Sequence, residues 1–193
     1  MELTWRLRHS EVLSVFTVYV PENSGLARFN YIAASLFENS AKLVTTRAER
    51  IPQLVESGGG YGWIGNDLWL NYACVASYSN VKVERFFPWP DTIKPRLCLL
   101  KPEETKSIND LYWRGCEVAV PIKYANLALT YLQRMLPRSR SKFFAGGVEK
   151  QIRKGNADLA IDIVYSGRTI HEQKLSIEDT IFAEAGLVLL TKD

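Results

Sequence analysis

Residues 53–67 and 151–167 follow the same short plan: a helical stretch, a glycine break, a brief apolar strand and a polar turn. Strands that alternate with helices lead to an α/β fold with mainly parallel sheets. Two lobes of similar build, each offering strand ends to a shared cleft, would account for the repetition. Two unrelated helix–strand units would read the same way.

The remaining segments fit that alternation. Residues 12–20 are β-branched and aromatic and end at Pro21, which marks a strand, and 26–37 carry apolar side chains at helical spacing. A short strand over 42–46 precedes a helix over 51–57, which the triple glycine Gly58-Gly59-Gly60 breaks. Gly62-Trp63-Ile64-Gly65 is a short buried strand, and Asn66-Asp67 is placed to cap a helix over 68–72. Extended segments over 81–87 and 96–100 flank Pro88-Trp89-Pro90, the expected crossing between lobes. A helix from Ser107, a strand over 117–120, a helix over 124–135 and a strand closed by Phe143-Phe144 follow. A short helix over 148–154 stops at Gly155, and strands over 177–182 and 186–191 complete the chain. With a return crossing near 171–176, one lobe takes residues 1–93 and 174–193, and the other takes 94–173.

Bulk properties exclude several classes. The 193 residues can bury a substantial core as one large domain or two lobes, and 47% hydrophobic with 23% charged residues is ordinary globular composition. A net charge of +3 is too small for a nucleic-acid surface but suits anionic small molecules. No apolar run is long enough for a membrane span, and Glu2, Arg6, Arg8 and Glu11 interrupt any signal-peptide pattern, so a cytoplasmic protein is expected. Cys74, Cys98 and Cys116 are odd in number and widely spaced, which fits reduced thiols better than disulfides or a zinc site. His9 and His171 are too few for a histidine-rich metal site.

The densest chemical signal lies over residues 157–170. An apolar strand carrying Asp162 breaks at Tyr165-Ser166-Gly167-Arg168-Thr169 and leads into a short helix. Amides at such a turn converge on a phosphate, with hydroxyls from Ser166 and Thr169, charge from Arg168, and close backbone approach at Gly167. Asp162 is placed for sugar hydroxyls or a hydrated Mg²⁺. The local pattern fits an ordinary strand and capped helix equally well.

Four motifs in order resemble the ATP phosphoribosyltransferase family, the first enzyme of histidine biosynthesis. Ile51-Pro52-Gln53-Leu54-Val55-Glu56-Ser57-Gly58 with Gly62-Trp63-Ile64-Gly65-Asn66-Asp67 is similar to that family's "IP…LGI(V/I)G" region, and Lys123-Tyr124-Ala125-Asn126-Leu127-Ala128 to its "KYPNLA". Gly146-Gly147-Val148-Glu149 is similar to its "GSVE", and residues 157–170 to its "AD…D(I/L)VSTG(T/A)TL". The likeness runs from about residue 15 to the C-terminus, and the length resembles the family's short form.

That resemblance implies a two-lobed fold like a type II periplasmic binding protein, with chemistry in the cleft. It implies transfer of the 5-phosphoribosyl group from phosphoribosyl pyrophosphate (PRPP) to N1 of ATP, with Mg²⁺ carried mainly by PRPP and no dedicated protein metal site. Glu149 and Asp162 would fix ribose hydroxyls as catalytic residues. Gly146, Gly147, Val148, Ser166, Gly167, Arg168 and Thr169 would bind PRPP, and Arg47, Gly65 and Asp67 the acceptor. A surface ion pair for Arg47, a helix cap for Asp67 and a first-turn acid for Glu149 are the plain alternatives. A homodimer, with a regulatory subunit similar to histidyl-tRNA synthetase, is the implied assembly; no nucleic acid or membrane partner is expected. Two departures qualify the acceptor. The family's basic first loop is here Glu22-Asn23-Ser24-Gly25-Leu26, with Arg28 out of register, and the acid of its "DLGI" falls near Gly60. A paralogue with another acceptor, or an inactive ligand-binding homologue, is the alternative.

Overall fold

The computed structural model describes residues 15–37, 40–76, 79–105 and 107–193. The expected strand over 12–20 is found as β1 (Phe16–Pro21), its first residues lying outside those described. The helix expected over 26–37 is two, α1 (Ser24–Ala27) and α2 (Asn30–Leu36). It breaks where Asn30 turns its amide to the Pro21 carbonyl (3.0 Å) and Phe29 packs edge-on against Trp89. β2 (Ala41–Thr46) and a 3₁₀ turn, Ala48–Arg50, precede α3 (Ile51–Gly58), which buries Ile51, Pro52 and Val55.

β3 (Tyr61–Gly65) lies directly under α3, and Gly62 makes that approach possible. A Cβ there would sit 2.6 Å from Ile51 Cγ2 and 2.9 Å from Val55 Cγ2. Gly60 has φ +83°, and a Cβ would come within 2.5 Å of the Thr17 carbonyl oxygen, so the position near which the family's acid falls has no room for a side chain. α4 (Asn66–Ala73) starts two residues before the expected 68, so Gly65, which has no side chain to cap it, takes the N-cap position. The Asn66 side chain instead crosses to the Glu184 carbonyl (2.6 Å) and the Gly186 amide (3.0 Å).

β4 (Val81–Pro88) and β5 (Arg96–Pro102) follow, then α5 (Asn109–Arg114), β6 (Glu117–Pro121), the 3₁₀ turn Ile122–Tyr124, and α6 (Ala125–Met135). The chain closes with β7 (Arg140–Phe144), α7 (Glu149–Arg153), β8 (Leu159–Val164), α8 (Arg168–Glu172), β9 (Leu175–Phe182) and β10 (Gly186–Lys192).

Two five-stranded sheets result, in the orders β2-β1-β3-β10-β4 and β7-β6-β8-β5-β9. They share one plan, with β1, β2 and β3 matching β6, β7 and β8, so the two repeated sequence units occupy equivalent places. The second sheet is built from the consecutive strands β5–β9, whereas the first takes β10 from beyond the return crossing. β5 enters the second sheet antiparallel to β8 and β9, and β10 enters the first antiparallel to β3 and β4. The sheets are therefore mixed, not mainly parallel. The return crossing also differs from the one expected at 171–176. β9 pairs with β5 in the second sheet, so the chain recrosses over 183–185, and residues 175–182 belong with the second lobe.

Alternation along the strands explains the long apolar runs. On β5, Leu97 and Leu99 join the large core while Cys98 and Leu100 join a second cluster with Val148 and Ala157. On β8, Leu159 and Ile161 face the first cluster and Ala160 the second. Strands covered on both faces lose the polar half of their pattern. The first cluster includes Trp63, Ile64 and Leu187 of one lobe together with Leu97, Val118 and Leu132 of the other. Among the described residues no helix is long and apolar enough to cross a membrane.

Candidate functional site

The equivalent strands β3 and β8 aim their C-terminal ends at one place. After β3, Asp67 lies in the first turn of α4, and its carboxylate folds back over Gly65, where any Cβ would collide with it. The hydroxyl of Tyr124, from the second lobe, donates to Asp67 Oδ2 at 2.5 Å. Tyr124 is buried and Asp67 half-buried. Burial holds the Asp67 carboxyl above its ordinary range, against the lowering effects of Tyr124, the Leu68 amide and Lys123. Burial, then the Asp67 charge, pushes the Tyr124 phenol well up, and Asp162 and Tyr165 add to the rise.

Asp162 lies on the same cluster from β8. Its Oδ1 accepts the Ile163 amide at 2.8 Å, yet burial raises its carboxyl to about 6, with Glu149 at the start of α7 adding to the rise and Lys123 opposing it. Asp67, Asp162 and Glu149, far apart in sequence, thus gather around Lys123 and Tyr124. A raised carboxyl beside a second carboxyl, between two lobes, singles this cluster out as the candidate site.

The other residues singled out by sequence are placed differently. Arg47 stands at the start of the 3₁₀ turn, with its side chain 72% exposed and 3.8 Å from Glu22. It lines a cavity of about 310 Å³ between the lobes, shared with Gln53, Asn71, Tyr72, Lys123 and Asn126. Gly146 and Gly147 are exposed in the loop before α7, while the Val148 side chain is core, leaving only its backbone for a ligand. Gly167 caps α8 with φ +78°, and no atom lies within 4 Å of where its Cβ would be. Ser166 and Thr169 are exposed, and Arg168 is turned to Glu172 at 2.7 Å.

Sequence reasoning did not single out Lys123 and Tyr124 as site residues, although they open the Lys123-Tyr124-Ala125-Asn126 motif. It also left out Asn71. The Asn71 Oδ1 accepts the amides of Asn126 and Leu127, each at 3.0 Å, and so caps α6 from the opposite lobe. Only the contact across the cleft identifies it. Among the described residues no group of three or more His, Cys, Asp or Glu side chains could hold a metal ion.

Comparison with known proteins bears on the family and the fold. Residues 47–192 match the family described as HisG: ATP phosphoribosyltransferase. Proteins named ATP phosphoribosyltransferase from Sulfurisphaera tokodaii and Metallosphaera sedula are 27% identical over 158 residues and 30% identical over 152. Each alignment covers 79% of this chain and 50% of the relative, so the chain spans about half the length of the curated relatives it matches. In fold it is similar to the ATP phosphoribosyl transferase (HisG:HisZ) complex from Thermotoga maritima, with a TM-score of 0.71 and 19% identity over 92% of this chain and 88% of that one. It is also similar to the alkanesulfonate-binding protein SsuA from Xanthomonas axonopodis pv. citri, with a TM-score of 0.57 and 13% identity over 93% of this chain and 65% of that one.

Proposed function

Because this chain belongs to the ATP phosphoribosyltransferase family, we propose that it transfers the 5-phosphoribosyl group of PRPP to N1 of ATP, releasing pyrophosphate in the first step of histidine biosynthesis. The observation that supports this reading is the cluster of Asp67, Tyr124, Asp162 and Glu149, half-buried around the buried Tyr124 and drawn from both lobes. Glu149 and Asp162 hold the ribose hydroxyls. The 166–169 turn and the backbone of Gly146, Gly147 and Val148 receive the donor's phosphates. Arg47, Gly65 and Asp67 face the acceptor, and Lys123 stands where charge builds on the leaving pyrophosphate. The N1 lone pair forms the bond to C1 as the C1–O bond breaks, and that electron pair leaves with pyrophosphate. Positioning and charge stabilisation supply the rate without a protein nucleophile. Mg²⁺ enters as the counter-ion of the donor's diphosphate, part of the substrate.

A different acceptor is the second reading. It is favoured by Glu22, which sets an acid 3.8 Å from Arg47 on the acceptor side. A soluble, cytoplasmic homodimer with a HisZ-type regulatory partner completes the proposal, supported by the complex that the Thermotoga maritima relative forms. The test is turnover of labelled PRPP with ATP and then with other purines, following pyrophosphate release. Release with ATP supports the first reading, release only with another base the second, and none with any acceptor defeats both.

A further inference from the structure

Arg28, a cation that bridges the two lobes, has no part in the scheme above. Arg28 sits at the junction of α1 and α2, where the helix break turns it toward the second lobe. Its Nη2 lies 2.5 Å from Asp91 Oδ2, in the first crossing, and 3.4 Å from the hydroxyl of Tyr165, the residue that opens the 165–169 turn. Its Nε donates to the Gly25 carbonyl at 3.2 Å. The guanidinium carbon lies 4.5 Å from the centre of the Phe29 ring and 5.9 Å from that of Tyr165. Trp89 packs edge-on against both rings, at 5.1 and 5.8 Å. First-lobe helix, crossing and donor turn therefore meet at one guanidinium.

The arrangement is built, yet it is not closed to solutes. The Arg28 and Asp91 side chains keep 47% and 38% of their exposure. An ion pair so hydrated holds its partners weakly. A di- or triphosphate offers more charge and a bidentate fit to the planar guanidinium than one carboxylate does. The aromatic rings fix the guanidinium so that little side-chain freedom is lost when the partner is exchanged.

We propose that Arg28 is an anion-binding residue for the polyphosphate part of a substrate, kept in place by Phe29 and Tyr165, and that Asp91 competes with the phosphate for it. The proposal rests on the reading above only for the identity of that substrate. It supplies a first-lobe cation on the side where the loop over 22–26 carries Glu22 and no basic residue.

The two members of the ion pair then act in opposite directions, which a purely structural bridge would not do. Titration calorimetry of the whole chain with inorganic pyrophosphate and with tripolyphosphate measures this without any turnover. Arg28→Ala should weaken binding about tenfold or more, and Arg28→Lys should restore only part, since an ammonium lacks the fork. Asp91→Asn should tighten binding about two- to fivefold by removing the competitor. Asp91→Asn keeps the test decisive if Arg28→Ala fails to fold. Unchanged or weaker binding in folded Asp91→Asn protein overturns the proposal, as does unchanged binding in folded Arg28→Ala protein. A chain that never releases pyrophosphate from PRPP, but shows the opposed shifts, loses the proposed reaction and keeps Arg28. A chain that turns over without the shifts keeps the reaction and loses Arg28.

Discussion

Asp162 shows how one residue's environment sets both its chemistry and its cost. An unperturbed aspartate has a pKa of 3.8, whereas burial and the adjacent Glu149 bring this one to about 6. A raised acid favours the folded state while it is protonated, so its contribution is complete below pH 3.8 and is lost as the pH rises through 6. At neutral pH the ionised carboxylate burdens the fold by on the order of 1–3 kcal/mol. Asp162→Asn should therefore be more stable than the parent at pH 7.5, with the gain vanishing near pH 4. If Asp162 holds the ribose as proposed, turnover of PRPP should fall sharply, because the amide loses the charge and replaces one acceptor oxygen with an NH₂ donor. Urea denaturation at the two pH values checks the first claim, and a stability difference that does not change with pH would refute it.

At the scale of elements, the packing of α3 on β3 depends on a missing side chain. Gly62→Ala would force its methyl against Ile51 and Val55, both fully buried. An overpacked core of this kind typically costs about 1–3 kcal/mol. A fall in the urea midpoint at constant slope is the expected result; an unchanged midpoint would mean that α3 moves freely away from the sheet. Strands and helices of this type were readable from sequence because their apolar spacing and glycine stops are local. β5 and β8 were legible as strands for the same reason. What could not be read is pairing. Nothing in residues 175–182 says that they join β5, since partner choice is fixed by which edge the second sheet leaves open. The broken helix at Arg28 and Phe29 was hidden likewise, because its cause lies at Pro21 and Trp89. In the candidate site, the residues at strand ends were legible, whereas Tyr124 and Asn71 matter only through partners across the cleft. The position of Arg28 was equally invisible, for Asp91 and Tyr165 are distant in sequence.

Across the whole molecule, the lobes are joined by two crossings, by a core cluster that contains residues of both, and by the clasp at Asn71. The clasp is physically unusual, since the first amides of α6 are satisfied by a side chain from the other lobe. Asn126 returns a bond from its side-chain amide to the Asn71 carbonyl at 2.9 Å. Removing the Asn71 side chain leaves two helix N-terminal donors to water, at about 1–2 kcal/mol by the usual cost of a lost cap. The lost bonds are also contacts that hold the two lobes together, so Asn71→Ala should favour a more open arrangement. A ligand that needs both lobes would then bind to a less populated form, and its apparent affinity would fall by that fraction. At 1–2 kcal/mol the apparent affinity for PRPP should drop by roughly five- to thirtyfold, while the residues touching the ligand stay the same. Small-angle scattering of the free protein should show a larger radius of gyration, and saturating ligand should return it to the parent value. If the variant is less stable but shows neither the larger radius nor the weaker binding, Asn71 caps α6 without governing closure.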